Sequence, residues 1–172
     1  MRRMLTDPAV RRGIYDGLII AGLIAVNVFL TNVVWPAGPN ESDSDPEYVI
    51  QDLAIFAAIA LLLMVIGARA RRRTTSVRAG ARAGASAGIV IAVLGTLTFL
   101  VVNNIWLGIV SQQHDKRIAF AESGWTSMRA YLSVQQVEGL VILVPLLGIG
   151  GAVLGLLGAL LFRRPRNPQP TS

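Results

Sequence analysis

Four long apolar runs constrain this chain more than any other feature. They cover about 17–35, 53–68, 83–107 and 139–162, and the first is interrupted only by Asn27, Thr31 and Asn32. A helix needs about 20 mostly apolar residues to cross a hydrocarbon layer roughly 30 Å thick. Each run meets that length once its flanks are included, the second gaining a turn from residues 48–52. The expectation is therefore an all-α membrane protein with four transmembrane helices at about 17–35, 49–69, 83–107 and 138–162. A domain spanning 17–164 follows a short cytoplasmic segment, 1–16, and precedes a proline-rich tail, 165–172, expected to be disordered. Composition agrees, since 53% of the residues are hydrophobic and only 15% charged, against roughly 25% charged in a soluble domain. The first run is longer than a signal-peptide core and no clean small-x-small cleavage site follows it, so it is expected to stay as a helix.

The charges set the expected orientation. Arg2, Arg3, Arg11 and Arg12 precede the first run, and Arg69, Arg71, Arg72, Arg73, Arg78 and Arg82 separate the second from the third. Arg163, Arg164 and Arg166 follow the fourth, so thirteen of the 16 basic residues fall on one side if the helices alternate. The other side has Lys116, Arg117 and Arg129. Arginine and lysine concentrate on the cytoplasmic side of membrane proteins, which predicts both termini inside. The net charge of +6 is thus a topology signal, and binding to nucleic acid is not expected. Near-exclusive use of arginine, with abundant alanine, valine and glycine, points to a prokaryotic plasma membrane. The 71–73 arginine run is expected to attract anionic headgroups, at about 1 kcal/mol per residue. With no cysteine in the chain, disulfides and thiolate chemistry are excluded.

The two outer loops differ. Residues 36–47 carry Glu41, Asp43, Asp45 and Glu47 with three prolines and no base, and predict a short acidic turn. Their spacing, with Asp52, imitates a calcium loop, but Pro46 stands where that loop needs glycine, so a solvated acidic turn is expected and no metal. Residues 108–136 are longer and mixed. Trp125, Met128 and Tyr131 or Leu132 recur at helical spacing after Ser123-Gly124, which predicts a helical segment at the outer interface or an early start to the fourth helix. Shifting the chain by 71 residues lays Gly17 on Gly88, Asn32 on Asn103 and Trp35 on Trp106. Two tandem helical hairpins would produce that match, as would chance similarity between apolar helices.

Few residues suggest chemistry. Asp16, Asp52 and Glu138 lie near helix ends, where charge is cheap and hydration suffices. A sharper reading gathers Asp52, Glu138, Asn32, Asn103 and Asn104 into one polar cluster in the outer third of the bundle, able to bind a cation, a proton or a headgroup. The plainer role of the asparagines is to fix helix pairing, where such bonds average about 0.6 kcal/mol. Gly80, Gly84 and Gly88 recur every fourth residue, and Gly151 and Gly155 repeat the spacing on the fourth helix. Small residues at that interval let helix backbones approach. His114, Asp115 and Glu122 are the only residues that would serve a lipid-modifying enzyme, and one histidine rarely builds a metal site. Neither a catalytic nor a cofactor-binding pattern is present. The expected function is a non-enzymatic accessory or structural subunit of a membrane complex, or a self-associating bundle. The alternative is a small oligomeric transporter or channel using the outer polar cluster.

Overall fold

The computed structural model describes residues 7–38 and 40–162. The tail at 165–172 and Arg2, Arg3, Arg163, Arg164 and Arg166 lie outside the described residues. Six α-helices follow one another: α1, Pro8–Phe29, continued by a π-helical stretch Leu30–Val34; α2, Pro46–Thr74; α3, Val77–Ile105; α4, Leu107–Val110; α5, His114–Glu122; and α6, Met128–Leu161. Among the described residues there is no strand. The helices α1, α2, α3 and α6 are long and apolar enough to cross a membrane, where only a helix satisfies its backbone within one segment.

The helices outrun the apolar runs because their ends are set by caps rather than by hydrophobicity. Asp7 is extended and accepts the Ala9 amide at 2.8 Å, and Pro8 needs no hydrogen-bond partner in the first turn. The α1 helix therefore starts nine residues before Gly17 and includes Arg11 and Arg12. Pro46 stands at the start of α2 as Pro8 does in α1, without a side-chain capping bond from Asp45, and Thr75, at φ 58°, closes the helix after Arg71, Arg72 and Arg73. Three basic residues in a last turn complement the negative end of the helix dipole. Residues 128–137 prove to be the start of α6, capped by Ser127, which accepts the Ala130 amide at 3.3 Å. The Ser123-Gly124 pair ends α5, with Gly124 at φ 72°. Of the two readings of Met128, Tyr131 and Leu132, the early start of the fourth helix holds; Trp125 lies outside it, and the separate helix at this end, α5, is built from residues before Ser123-Gly124.

The π-helical stretch has a local cause. Thr31 Oγ1 donates to the Asn27 carbonyl at 3.0 Å and Asn32 Nδ2 to the Val28 carbonyl at 2.9 Å. Side chains thus occupy carbonyls that α-helical amides use, and the Trp35 amide bonds one residue further back, to Leu30 at 2.8 Å. Such competition between side chain and backbone is the usual weakness of Thr and Asn inside helices.

The centre of the bundle is α3. It packs most extensively on α6, then on α1, while α2 leans on α6 and α3 and barely touches α1. The two helix pairs that the 71-residue shift suggests, α1 with α2 and α3 with α6, are therefore packed very unequally. Glycine sets the α3–α6 contact. A methyl group on Gly84 would coincide with the Gly151 carbonyl oxygen, and one on Gly151 with the Gly84 carbonyl. Gly155 meets Gly80, and Gly88 meets Leu147, in the same antiparallel register. Gly67 and Gly158 admit α2 to α6 at equally close range. In a bilayer, where lipid is as apolar as leucine, this close van der Waals contact is what holds helices together.

The ends of the bundle differ in charge. The starts of α1 and α3 and the finishes of α2 and α6 share one end. There Asp7 pairs with Arg82 at 2.7 Å, Ser86 Oγ donates to the Val10 carbonyl at 3.2 Å, and Arg71 donates to the Ala159 carbonyl. This basic end carries Arg11, Arg12, Arg69, Arg72, Arg73 and Arg78 as well. Acidic loop 36–45 and helices α4 and α5 occupy the far end.

Candidate functional site

At the far end the two loops are joined by a polar network. The π-helical turn presents Asn32 to the start of α5, where Gln113 is the residue that precedes the helix and Lys116 lies in its first turn. Asn32 Oδ1 accepts Lys116 Nζ at 3.2 Å and Gln113 Nε2 at 3.5 Å. One residue earlier on α5, the Asp115 carboxylate accepts Ser42 Oγ at 3.1 Å and also the Asp43 amide. Ser42 is itself held by the loop, its amide donating to Asp45 at 3.0 Å. Beneath this lies an apolar plug of Val28, Val102, Val110 and Leu132. Phe29 sits edge-on to Trp106, centroids 5.2 Å apart.

The only lysine in the sequence is thus largely removed from water. Desolvation pushes its pKa from 10.5 down to about 8, partly opposed by the charge of Asp43. Asp43 shifts the other way: desolvation, then repulsion from Asp115, raises its pKa, while Lys116 lowers it and Asp52 adds a smaller increase. The arrangement can tie the two loops together and exchange one proton near pH 8. Beside it, Asn40, His114, Arg117 and Met128 line an open depression of about 680 Å³.

The five residues expected to form one polar cluster take separate positions. Asn32 enters the network just described. Asn104 bonds the Leu100 carbonyl at 2.9 Å and Ser133 on α6 at 3.2 Å, a helix-pairing role. Asn103 is 1% exposed, and neither its oxygen nor its nitrogen has a hydrogen-bond partner among the described residues. Asp52 is exposed on α2 and reaches the network only through its field on Asp43. Glu138 is exposed on α6 and joins none of these bonds. The acids of the first loop also diverge. Glu41 accepts Tyr48 and the Gly38 amide, while Asp45 serves Ser42. Sequence reasoning missed Lys116, Gln113 and Ser42 as members of this network, and singled out Asp115 only beside His114 and Glu122. The available signal was a lone lysine among arginines, three residues from a glutamine.

Comparison with family models, curated proteins and solved structures gave no match. What the fold defines is a helical bundle whose four longest helices can cross a membrane, closed at one end by a desolvated lysine and studded at the other with arginine.

Proposed function

We propose that this chain is a non-enzymatic multi-pass protein of a prokaryotic plasma membrane, with both termini and the α2–α3 connector in the cytoplasm. It serves as an accessory subunit of a membrane complex or as a self-associating bundle. The observation that carries this reading is how the small residues are divided. Gly80, Gly84, Gly88, Gly151 and Gly155 are consumed by the bundle's own α3–α6 contact. Gly22 and Gly95, by contrast, have no neighbour within 4 Å. Gly22 lies with Ala21, Ala25, Leu94 and Leu97 along an apolar trough of about 460 Å³ between α1 and α3. Small residues on an outward face suit close approach by another helix.

A transport role has less support. Its five-residue site is divided among a loop latch, a helix-pairing bond, a buried amide and two exposed acids. The absence of cysteine makes the test simple. Cysteine placed at Ala25 or Leu97, lining the trough, should crosslink to a second copy or to a copurifying membrane protein in native membranes. A chain that stays monomeric, uncrosslinked and alone in mild detergent would refute the subunit reading. Proton or cation flux in liposomes, lost in Asp52→Asn or Glu138→Gln, would establish the transport alternative instead.

A further inference from the structure

We propose that the cleft between the first turns of α1 and the last turns of α2 binds the phosphoryl headgroup of an anionic phospholipid. The cleft encloses about 360 Å³, with Ala9 and Ala70 toward its floor and Arg11, Arg12, Tyr15, Arg73 and Thr74 around it. It exists because α1 and α2 barely touch, although both pack on the rest of the bundle. Three guanidinium groups therefore share a hollow lined by no carboxylate.

The nearby acids do not neutralise them. Asp7 is taken by Arg82 and by the α1 cap. Asp16 lies one turn beyond Arg12, and among the described residues one of its oxygens is buried with no hydrogen-bond partner, as is Arg12 Nε. One carboxylate at most faces three guanidinium groups. Residues 1–6 and 163–172 contain no Asp or Glu, so neither flanking segment supplies a side-chain counter-ion. A buried guanidinium nitrogen without an acceptor is unfavourable, and planar guanidinium groups match phosphate oxygens in paired hydrogen bonds. Tyr15 adds a hydroxyl already oriented by Arg11, at 3.5 Å.

Depth favours a lipid over a free anion. The cleft sits where the apolar spans begin, and exposed Ile19 on α1 and Leu62 and Val65 on α2 continue from it along the helices. Acyl chains can lie there while the phosphate stays among the arginines. The inference rests on the chain residing in a bilayer but not on its having a protein partner.

The test is native mass spectrometry of the full chain in maltoside micelles, titrated with dioleoyl phosphatidylglycerol or dioleoyl phosphatidylcholine, with inorganic phosphate as competitor. Phosphatidylglycerol should bind at least about tenfold more tightly, and Arg12→Gln and Arg73→Gln should each weaken it about fivefold, the equivalent of one arginine near an anionic headgroup. Arg78→Gln, at the same end but on α3 and outside the cleft, should leave it unchanged. Arg73 is exposed, so its variant keeps the test valid if Arg12→Gln folds poorly. Equal weakening by all three variants, no headgroup preference, or full displacement by millimolar phosphate would each overturn the lipid site. A chain that remains soluble without detergent would overturn the membrane reading itself.

Discussion

Replacing Gly84 by alanine should destabilise the bundle far more than the same change at Gly95, although both glycines sit within α3. The added methyl at position 84 falls on the Gly151 carbonyl oxygen, with the Gly155 Cα 3.0 Å away. That atom is backbone, so no side chain can swing aside, and the two helices must separate. Overpacking a close contact typically costs about 1–3 kcal/mol, and separation also weakens the contacts at Gly80–Gly155 and Gly88–Leu147. A loss of about 3 kcal/mol is expected. At Gly95 nothing lies within 4 Å. Alanine there should be neutral or stabilise by up to about 1 kcal/mol, because glycine is the poorer helix former. The reciprocal change, Gly151→Ala, meets Gly84 from the other side. Once one methyl has forced the helices apart, the second costs less, so the double variant should lose less than the sum of the singles. Reversible unfolding in mixed dodecyl maltoside and SDS micelles reads all four variants. A Gly84→Ala protein as stable as Gly95→Ala would refute the backbone contact.

Two further outcomes follow from individual side chains. Asn103 buries an amide that has no hydrogen-bond partner among the described residues, so Asn103→Leu, close in volume, should stabilise the fold by about 1–2 kcal/mol, and a loss in the same micelle assay would reveal a partner for the amide. For Lys116, the folded pKa of about 8 lies below the unfolded 10.5. Below pH 8 the desolvated cation imposes its full cost; between the two values the unfolded chain holds the extra proton, and stability rises with pH by up to about 3 kcal/mol. Lys116→Met should abolish that rise between pH 7 and 10, and an unchanged slope would mean that the lysine is solvated.

The four spans were legible because a run of apolar residues the length of a bilayer has few other uses. Their ends were less legible. Asp7-Pro8 and Asp45-Pro46 are ordinary capping sequences, yet counting apolar residues placed the first helix start at Gly17, since hydrocarbon governs only the part of a helix that it covers. The glycine spacing of α3 and α6 predicted a close contact, and the structure pairs those glycines with each other. The polar site was harder to read. The sequence shift that lays Asn32 on Asn103 says nothing about which way either side chain faces. The Asn32 partners come from the first turn of α5 and the residue that precedes it, 84 and 81 residues further along the chain. A pairing at that separation depends on how the second loop folds back over the first, which neither periodicity nor charge counting records.

The proposed arrangement puts lipid around four helices and the arginine-rich end in the cytoplasm. In a chain without cysteine, Ser44→Cys in the first loop and Ser76→Cys in the α2–α3 connector can each be probed alone with a membrane-impermeant maleimide. Intact cells should label position 44 and protect position 76 until they are lysed. Labelling of position 76 in sealed cells, with position 44 protected, would contradict the orientation, and labelling of both would contradict the membrane-spanning bundle.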